Sequence, residues 1–200
     1  MTIAIENPTK PLIAPTDNLQ TYRGRTWEQF NLIRKGLEDT PGLRLFFLEG
    51  IVEVLMPGRY HELFKKIIAA LIEAFLCDRE IESTLTGSMD RTQEGIASAQ
   101  PDESYEIGSY KLVVEVIVTS GTIAKLDLYK ALGIHEVWFW EDGVLRLYHL
   151  IDGAYQAIDR SHIPELACID IAVLSNCILV GETSWVKAIK MFRAAHPIEL

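Results

Sequence analysis

The sequence is poor in cysteine and has no apolar run long enough to cross a membrane. Its three cysteines lie far apart and form no CxxC pair, which argues against a disulfide scaffold or a zinc module and favours a reducing cytoplasm. No apolar run approaches the roughly 18 residues that span a bilayer, and the N-terminus lacks the apolar core of a signal peptide. We therefore expect a cytoplasmic protein with no membrane partner.

Positive charge is also scarce, which limits the surface that could bind nucleic acid. The 19 Lys and Arg residues stand against 28 Asp and Glu residues, so the formal net charge is −9. A wide basic footprint on nucleic acid is therefore not expected. A small metal-dependent site that cuts nucleic acid stays open, because such a site needs acidic ligands.

The chain is long and apolar enough to form one folded domain. Of its 200 residues, 48% are hydrophobic, which excludes disorder as the overall state. Residues 1–22 hold three of the eight prolines and show no hydrophobic period. We therefore predict an irregular N-terminal arm over 1–22 and a single domain over 23–200.

The hydrophobic pattern predicts a mixed α+β domain. Thr26 and Gln29 have the spacing of a capping box before a short helix, and Glu49-Gly50 separates two apolar segments as in a β-hairpin. Residues 61–77 carry apolar side chains at helical spacing, and 111–118 form the unbroken apolar run of a central buried strand. The remaining predictions are strands near 81–86 and at 136–140, 144–148 and 155–158, a polar connection over 90–100, a short helix after Ser120-Gly-Thr122, and a loop with a closing helix over 184–195. This order predicts helices packed on a central mixed sheet.

Glu115 is the most informative single residue. It has three apolar residues on each side in Leu-Val-Val-Glu-Val-Ile-Val. An ionised carboxylate inside a sheet is costly unless it is paired or bound to a metal. A functional site explains this placement, and a structural ion pair or an exposed sheet face explains it as well.

Asp102 and Lys125 are the other two candidates. Asp102 follows a proline at the end of a polar stretch, which is also a common way to open a turn. Lys125 is expected in the first turn of a short helix, where the helix dipole disfavours a cation. Beside two acids, that placement suits an anionic phosphate group, although a solvated surface lysine is the other interpretation. Two carboxylates brought together need a cation, and oxygen ligands select Mg²⁺ or Mn²⁺.

The order of these residues resembles the motif of the PD-(D/E)XK nuclease superfamily, which is a proline-aspartate pair, then an acid on an apolar strand, then a lysine. The usual motif has its lysine two residues after the second acid, where this sequence has Ile117. The chain more closely resembles the Uma-type restriction endonuclease family, in which the lysine is displaced onto the following helix. The matching stretches are 26–30, 48–50, 56–58 with His61, 100–102, 114–116 and 125–138.

The resemblance implies an α+β restriction-endonuclease-like fold and Mg²⁺- or Mn²⁺-dependent hydrolysis of DNA phosphodiester bonds. It makes Asp102 and Glu115 catalytic metal ligands and gives the Val116 carbonyl as a further ligand. Lys125 would orient the attacking water and stabilise the charge on the phosphate. Glu49 and His61 are additional candidates, and they are otherwise an ordinary turn residue and an ordinary first-turn residue.

Several alternatives stay open at this stage. A homodimer, a local basic surface or a partner would be needed to bring DNA to so acidic a protein. The same fold could instead serve as a catalytically inactive, dimeric binding module, and hydrolysis of RNA or nucleotides is a third possibility. Trp138 and Trp140 face one side of a strand, which suits base stacking, core packing or a dimer interface. Gln100 stands where the family often has an acid.

Overall fold

The computed structural model describes residues 16–118, 121 and 124–198, and within them the chain forms eleven strands and five helices. The strands are β1 (Asn18–Tyr22), β2 (Arg44–Leu48), β3 (Ile51–Met56), β4 (Ser83–Leu85), β5 (Arg91–Gln93), β6 (Ala97–Ala99), β7 (Glu103–Ile107), β8 (Tyr110–Ile117), β9 (Glu136–Glu141), β10 (Val144–Ile151) and β11 (Ala154–Ile158). The helices are α1 (Trp27–Leu37), α2 (Arg59–Asp78), α3 (Lys125–Ala131), α4 (Ile171–Gly181) and α5 (Trp185–Ala195). The α+β class predicted from the sequence is confirmed. None of the described helices has the length and apolar character needed to cross a bilayer.

The first sheet contains the predicted hairpin. Its strand order is β1-β3-β2-β6-β5, and every neighbouring pair is antiparallel. The hairpin turns at Glu49 and Gly50, whose φ angles are 47° and 77°, and two positive φ values are the mark of a two-residue type I′ turn. Helix α1 begins at the predicted capping box, in which Thr26 and Gln29 bond each other's backbone N–H groups.

The second sheet places the predicted central strand at its middle. Its order is β11-β10-β9-β8-β7-β4, in which β8 and β9 are parallel and the other described pairs are antiparallel. A parallel pair needs a crossover connection, and α3 lies in the segment between β8 and β9. The start of that connection is the predicted Ser120-Gly-Thr122 turn, of which only Gly121 lies within the described residues.

The two sheets pack face to face, and side-chain alternation divides β8 between two cores. Val114 and Val116 face the larger core, which α2, α4 and α5 cover. Val113 and Glu115 point the other way, toward the first sheet. Trp138 and Trp140 lie in the larger core with at most 2% exposed surface, so core packing is their role in the described structure. A third, smaller core lies between α1 and the outer face of the first sheet.

The structure differs from the sequence prediction in five places. The expected mixed sheet is present, and a second, fully antiparallel sheet accompanies it. Strand β7 follows Asp102, where no strand was predicted. Residues 18–22 of the predicted irregular arm form edge strand β1, while 1–15 lie outside the described residues. The polar connection over 90–100 contains the hairpin of β5 and β6. Helix α4 precedes the predicted closing helix. Other helices pack against two of its sides, so its sequence is apolar nearly all round and lacks the amphipathic pattern that would have predicted it.

Candidate functional site

The candidate site lies between the two sheets, where a glutamate from each sheet points into the same cavity. Glu53 on β3 and Glu115 on β8 both line this cavity, whose volume is about 280 Å³. Their side chains are only 1% and 2% exposed. Each glutamate occupies a position on the inward face of its strand where an apolar side chain is expected, so neither position is explained by packing alone.

Glu115 is held by a hydroxyl on one side and an ammonium on the other. The hydroxyl of Tyr129 on α3 donates to Glu115 Oε1, and Lys125 Nζ lies 3.6 Å from Glu115 Oε2. Burial raises the pKa of the Glu115 carboxyl, and the nearby charge of Asp102 raises it further, while Lys125 opposes the shift. A buried acid with a perturbed pKa beside a cation is typical of a functional site.

Lys125 is the first residue of α3, and its ammonium lies in the cavity wall. Nζ is 3.0 Å from the centre of the Phe46 ring, within the range of a cation–π contact. This ammonium is buried and has no hydrogen-bond partner among the described residues. Burial lowers the pKa of Lys125, although the negative charge of Glu115 opposes the shift. The ammonium therefore has unused donors that face the cavity.

Asp102 lies directly behind this wall, in a chain of charged groups. Its Oδ2 accepts a 2.8 Å hydrogen bond from the Val116 N–H, and its Oδ1 lies 2.8 Å from His61 Nε2. His61 Nδ1 in turn lies 3.0 Å from Asp17 Oδ2, and Asp17 Oδ1 accepts from the Gly58 N–H at 2.7 Å. These bonds tie the segment before β1, the start of α2 and the start of β7 together.

The His61 ring, which lies between Asp17 and Asp102, is cationic. Burial by itself would lower the pKa of His61, but the hydrogen bonds and charges of Asp102 and Asp17 outweigh it and raise the pKa to about 10. Both ring nitrogens therefore carry protons at neutral pH and donate to the two carboxylates. The pKa of Asp102 is lowered, since His61 and the Val116 N–H stabilise its charged form more than burial disfavours it.

Of the sequence candidates, the structure brings five to this region and leaves one apart. Glu115, Val116 and Lys125 line the cavity, and Asp102 and His61 lie behind it. Glu49 is exposed at the hairpin turn and is absent from the described lining of the cavity.

Glu53 is the site residue that the sequence analysis missed. A Cβ atom placed on Gly121 would lie 2.5 Å from both carboxylate oxygens of Glu53, so this glutamate packs directly against the Gly121 backbone. Its negative charge also raises the pKa of Lys125 against the effect of burial. The signal was present in the sequence, because Glu53 interrupts the apolar run Ile51–Met56 in the way that Glu115 interrupts β8.

Two departures from the family pattern have a clear place in the structure. Ile117, at the usual lysine position, lines the cavity. Gln100, where an acid is often found, accepts a 2.9 Å hydrogen bond from the Leu45 N–H and donates to Asp90 at 2.6 Å. Gln100 therefore joins β2 to the segment before β5 and is used as a structural link.

The carboxylates at this site offer oxygen atoms, which are the ligands of hard divalent cations, but the described residues do not form a closed metal cluster. No group of three acidic, histidine or cysteine side chains among them is positioned to hold a metal ion. Both Asp102 oxygens have partners, but each carboxylate oxygen has a second lone pair. In their charged forms the four carboxylates Asp17, Glu53, Asp102 and Glu115 exceed the two cations His61 and Lys125 by two charges, which one divalent ion balances.

Comparison with known families agrees with the resemblance drawn from the motifs. The family model "Uma2: Putative restriction endonuclease" matches residues 27–168, which is more than half of the chain. No curated protein matches this sequence. The matched range includes the whole site except Asp17.

Proposed function

Since the chain belongs to the Uma2 family, whose model carries the description "Putative restriction endonuclease", we propose that it is a Mg²⁺- or Mn²⁺-dependent endonuclease that hydrolyses phosphodiester bonds in DNA. The observation that carries this proposal is the Lys125 ammonium, which is buried, lacks a hydrogen-bond partner among the described residues and borders a cavity with two buried glutamates. Lys125 already lies 3.6 Å from the Glu115 carboxylate, and a phosphate oxygen would be a second anionic acceptor for its remaining N–H groups.

The metal would be held by Glu115 and Asp102 with the Val116 carbonyl, and Glu53 would lie beside them. All of these ligands are oxygen atoms, which suits Mg²⁺ or Mn²⁺ better than zinc. The chemistry supplied by such an ion is polarisation of the phosphate and a lower pKa for the attacking water.

The remaining residues position these groups. Lys125 donates to a non-bridging phosphate oxygen and stabilises the charge that develops there. Tyr129 fixes one oxygen of Glu115, so that the other faces Lys125. His61 and the Val116 N–H fix both oxygens of Asp102. The acids therefore need little reorganisation when the substrate arrives.

A catalytically inactive binding module is the second candidate, and two observations favour it. Both oxygens of Asp102 already have partners, and Lys125 lies beside Glu115 as in a structural ion pair. In this alternative the acids only stabilise the fold. The homodimer and the cytoplasmic location expected from the sequence remain predictions for both functions.

Calorimetric titration of Mg²⁺ and Mn²⁺ separates the two functions. We expect wild-type protein to bind the ion, more tightly when a DNA oligonucleotide is present, and the Glu115→Gln variant to lose this binding. Glu106→Gln is the matched control, because Glu106 is more than one third exposed and pairs with Arg91 away from the cavity. Equal heats for wild type and Glu115→Gln, with and without DNA, would contradict the metal site.

A further inference from the structure

Two aromatic side chains line the cavity that contains Glu115 and Lys125. Phe139 on β9 and Tyr148 on β10 both face it. Phe139 is the register partner of Glu115 across the parallel pair of β8 and β9, so the backbones of the two residues are one strand spacing, about 4.8 Å, apart. The alternation that buries Trp138 and Trp140 in the larger core turns Phe139 toward the site.

The two rings form one wall with both apolar and polar character. Their centres are 5.7 Å apart and their planes meet at 68°. Both side chains are partly exposed, unlike the glutamates below them. The Tyr148 hydroxyl makes no hydrogen bond with the described residues, which leaves a donor and acceptor at the edge of the wall.

The cavity is small and its acids are deep, which suits one nucleotide better than an intact duplex. Its volume of about 280 Å³ is just below the roughly 300–1,000 Å³ found for small-molecule sites. Glu53 and Glu115 are almost completely buried at its base. A nucleotide that leaves the base stack and enters the cavity brings its phosphodiester to these acids, as in enzymes that act on extruded nucleotides.

We propose that the site accepts a single unpaired nucleotide of a nucleic-acid strand, with the base against Phe139 and Tyr148 and the phosphate at Lys125. This inference rests on the proposed nuclease function and narrows its substrate to single-stranded or unpaired DNA. Bases of any identity stack on an aromatic face, so recognition here is tolerant of sequence. The scarcity of basic residues agrees with this substrate, because a stacked base supplies affinity that phosphate contacts do not.

Cleavage of three labelled DNA substrates tests the inference. They are a single strand, its perfect duplex, and the same duplex with one unpaired nucleotide, each with saturating Mg²⁺. We expect the single strand and the unpaired site to be cut at least about tenfold faster than the perfect duplex, since the duplex must first lose a base pair and its stacking.

Variants of Phe139 then test the aromatic wall. Phe139→Leu keeps an apolar side chain and removes the ring, so KM for the single strand should rise about tenfold with kcat changed less than about threefold. Phe139→Tyr keeps the ring and should restore KM. Trp185→Leu is the matched control, because Trp185 is an exposed aromatic residue outside this cavity, and its KM should equal that of wild type.

The outcomes distinguish this inference from the function on which it rests. If no DNA is cut under any condition, the nuclease proposal fails and takes this inference with it. If the perfect duplex is cut as fast as the single strand, or if Phe139→Leu leaves KM unchanged, the nuclease proposal survives and the unpaired-nucleotide site is wrong.

Discussion

At the scale of single residues, the site depends on glutamates that replace apolar side chains on inward strand faces. Glu53 and Glu115 lie on different sheets and share a cavity with Lys125. Burial lowers the pKa of Lys125 and raises that of Glu115, so each residue depends on the other to stay charged. The contact between Glu53 and Gly121 leaves no room for a side chain at position 121.

Gly121→Ala should reduce activity without unfolding the protein. The new Cβ would lie 2.5 Å from the Glu53 carboxylate, so this carboxylate must shift within the site, and misplacement by about 1 Å costs roughly 100-fold in rate. The measurement is kcat, with the melting temperature as a check on folding. Gly36→Ala is the control, because a Cβ there meets nothing within 4 Å. An unchanged kcat in Gly121→Ala would show that the position of Glu53 does not matter.

At the scale of elements, the sequence predicts a strand or helix where the element carries a local signal such as a turn, a cap or a hydrophobic period. The hairpin at Glu49-Gly50, the capping box at Thr26 and the long helix α2 are confirmed, since turn chemistry and periodicity act over a few residues. Strand β1 has no such signal, because it is an edge strand with a single inward leucine, Leu19, and its pairing with β3 decides its structure.

The candidate site was only partly predictable for the same reason. Glu115 is anomalous within its own strand, and the motif order led to Asp102 and Lys125. The bonds from His61 to Asp17 and Asp102 join residues 44 and 41 positions apart, and no local pattern records such contacts. Glu53 also interrupts an apolar strand, but the sequence does not show that it shares a cavity with Glu115, because the two residues lie on different sheets.

His61→Ala should destabilise the fold. Removing the imidazolium leaves the Asp17 and Asp102 carboxylates buried without their shared cation, and breaking a buried pair costs about 3–5 kcal/mol. Urea unfolding measures this loss. The control is His162→Ala, since His162 is exposed and its removal should change the unfolding free energy by less than about 0.5 kcal/mol. A loss below about 1 kcal/mol in His61→Ala would contradict the structural role of this chain of charges.

At the scale of the whole molecule, the net charge of −9 sets the way in which nucleic acid is bound. Proteins that grip DNA through many phosphates lose most of their affinity as salt concentration rises. Here the described cavity is lined by one lysine, three glutamates and one aspartate, so binding must depend on the metal, Lys125 and base contacts more than on a basic surface.

The salt dependence of KM should therefore be weak. With one or two phosphate contacts, raising the salt concentration from 50 to 200 mM should increase KM for single-stranded DNA by less than about tenfold. The measurement is a series of initial rates at fixed Mg²⁺ concentration. An increase of a thousandfold or more would reveal an extended phosphate-binding surface and contradict this description of the molecule.

The measurement that tests the central claim most directly is the rate of Mg²⁺-dependent DNA cleavage by wild type and by Lys125→Ala. The site requires the Lys125 ammonium at the phosphate, and loss of one such stabilising group costs about 100- to 1,000-fold in kcat. We predict that wild type cuts labelled DNA and that Lys125→Ala is slower by that factor at saturating Mg²⁺. Equal rates for the two proteins would contradict the assignment of Lys125, and no cleavage by wild type would leave the binding module as the function of this fold.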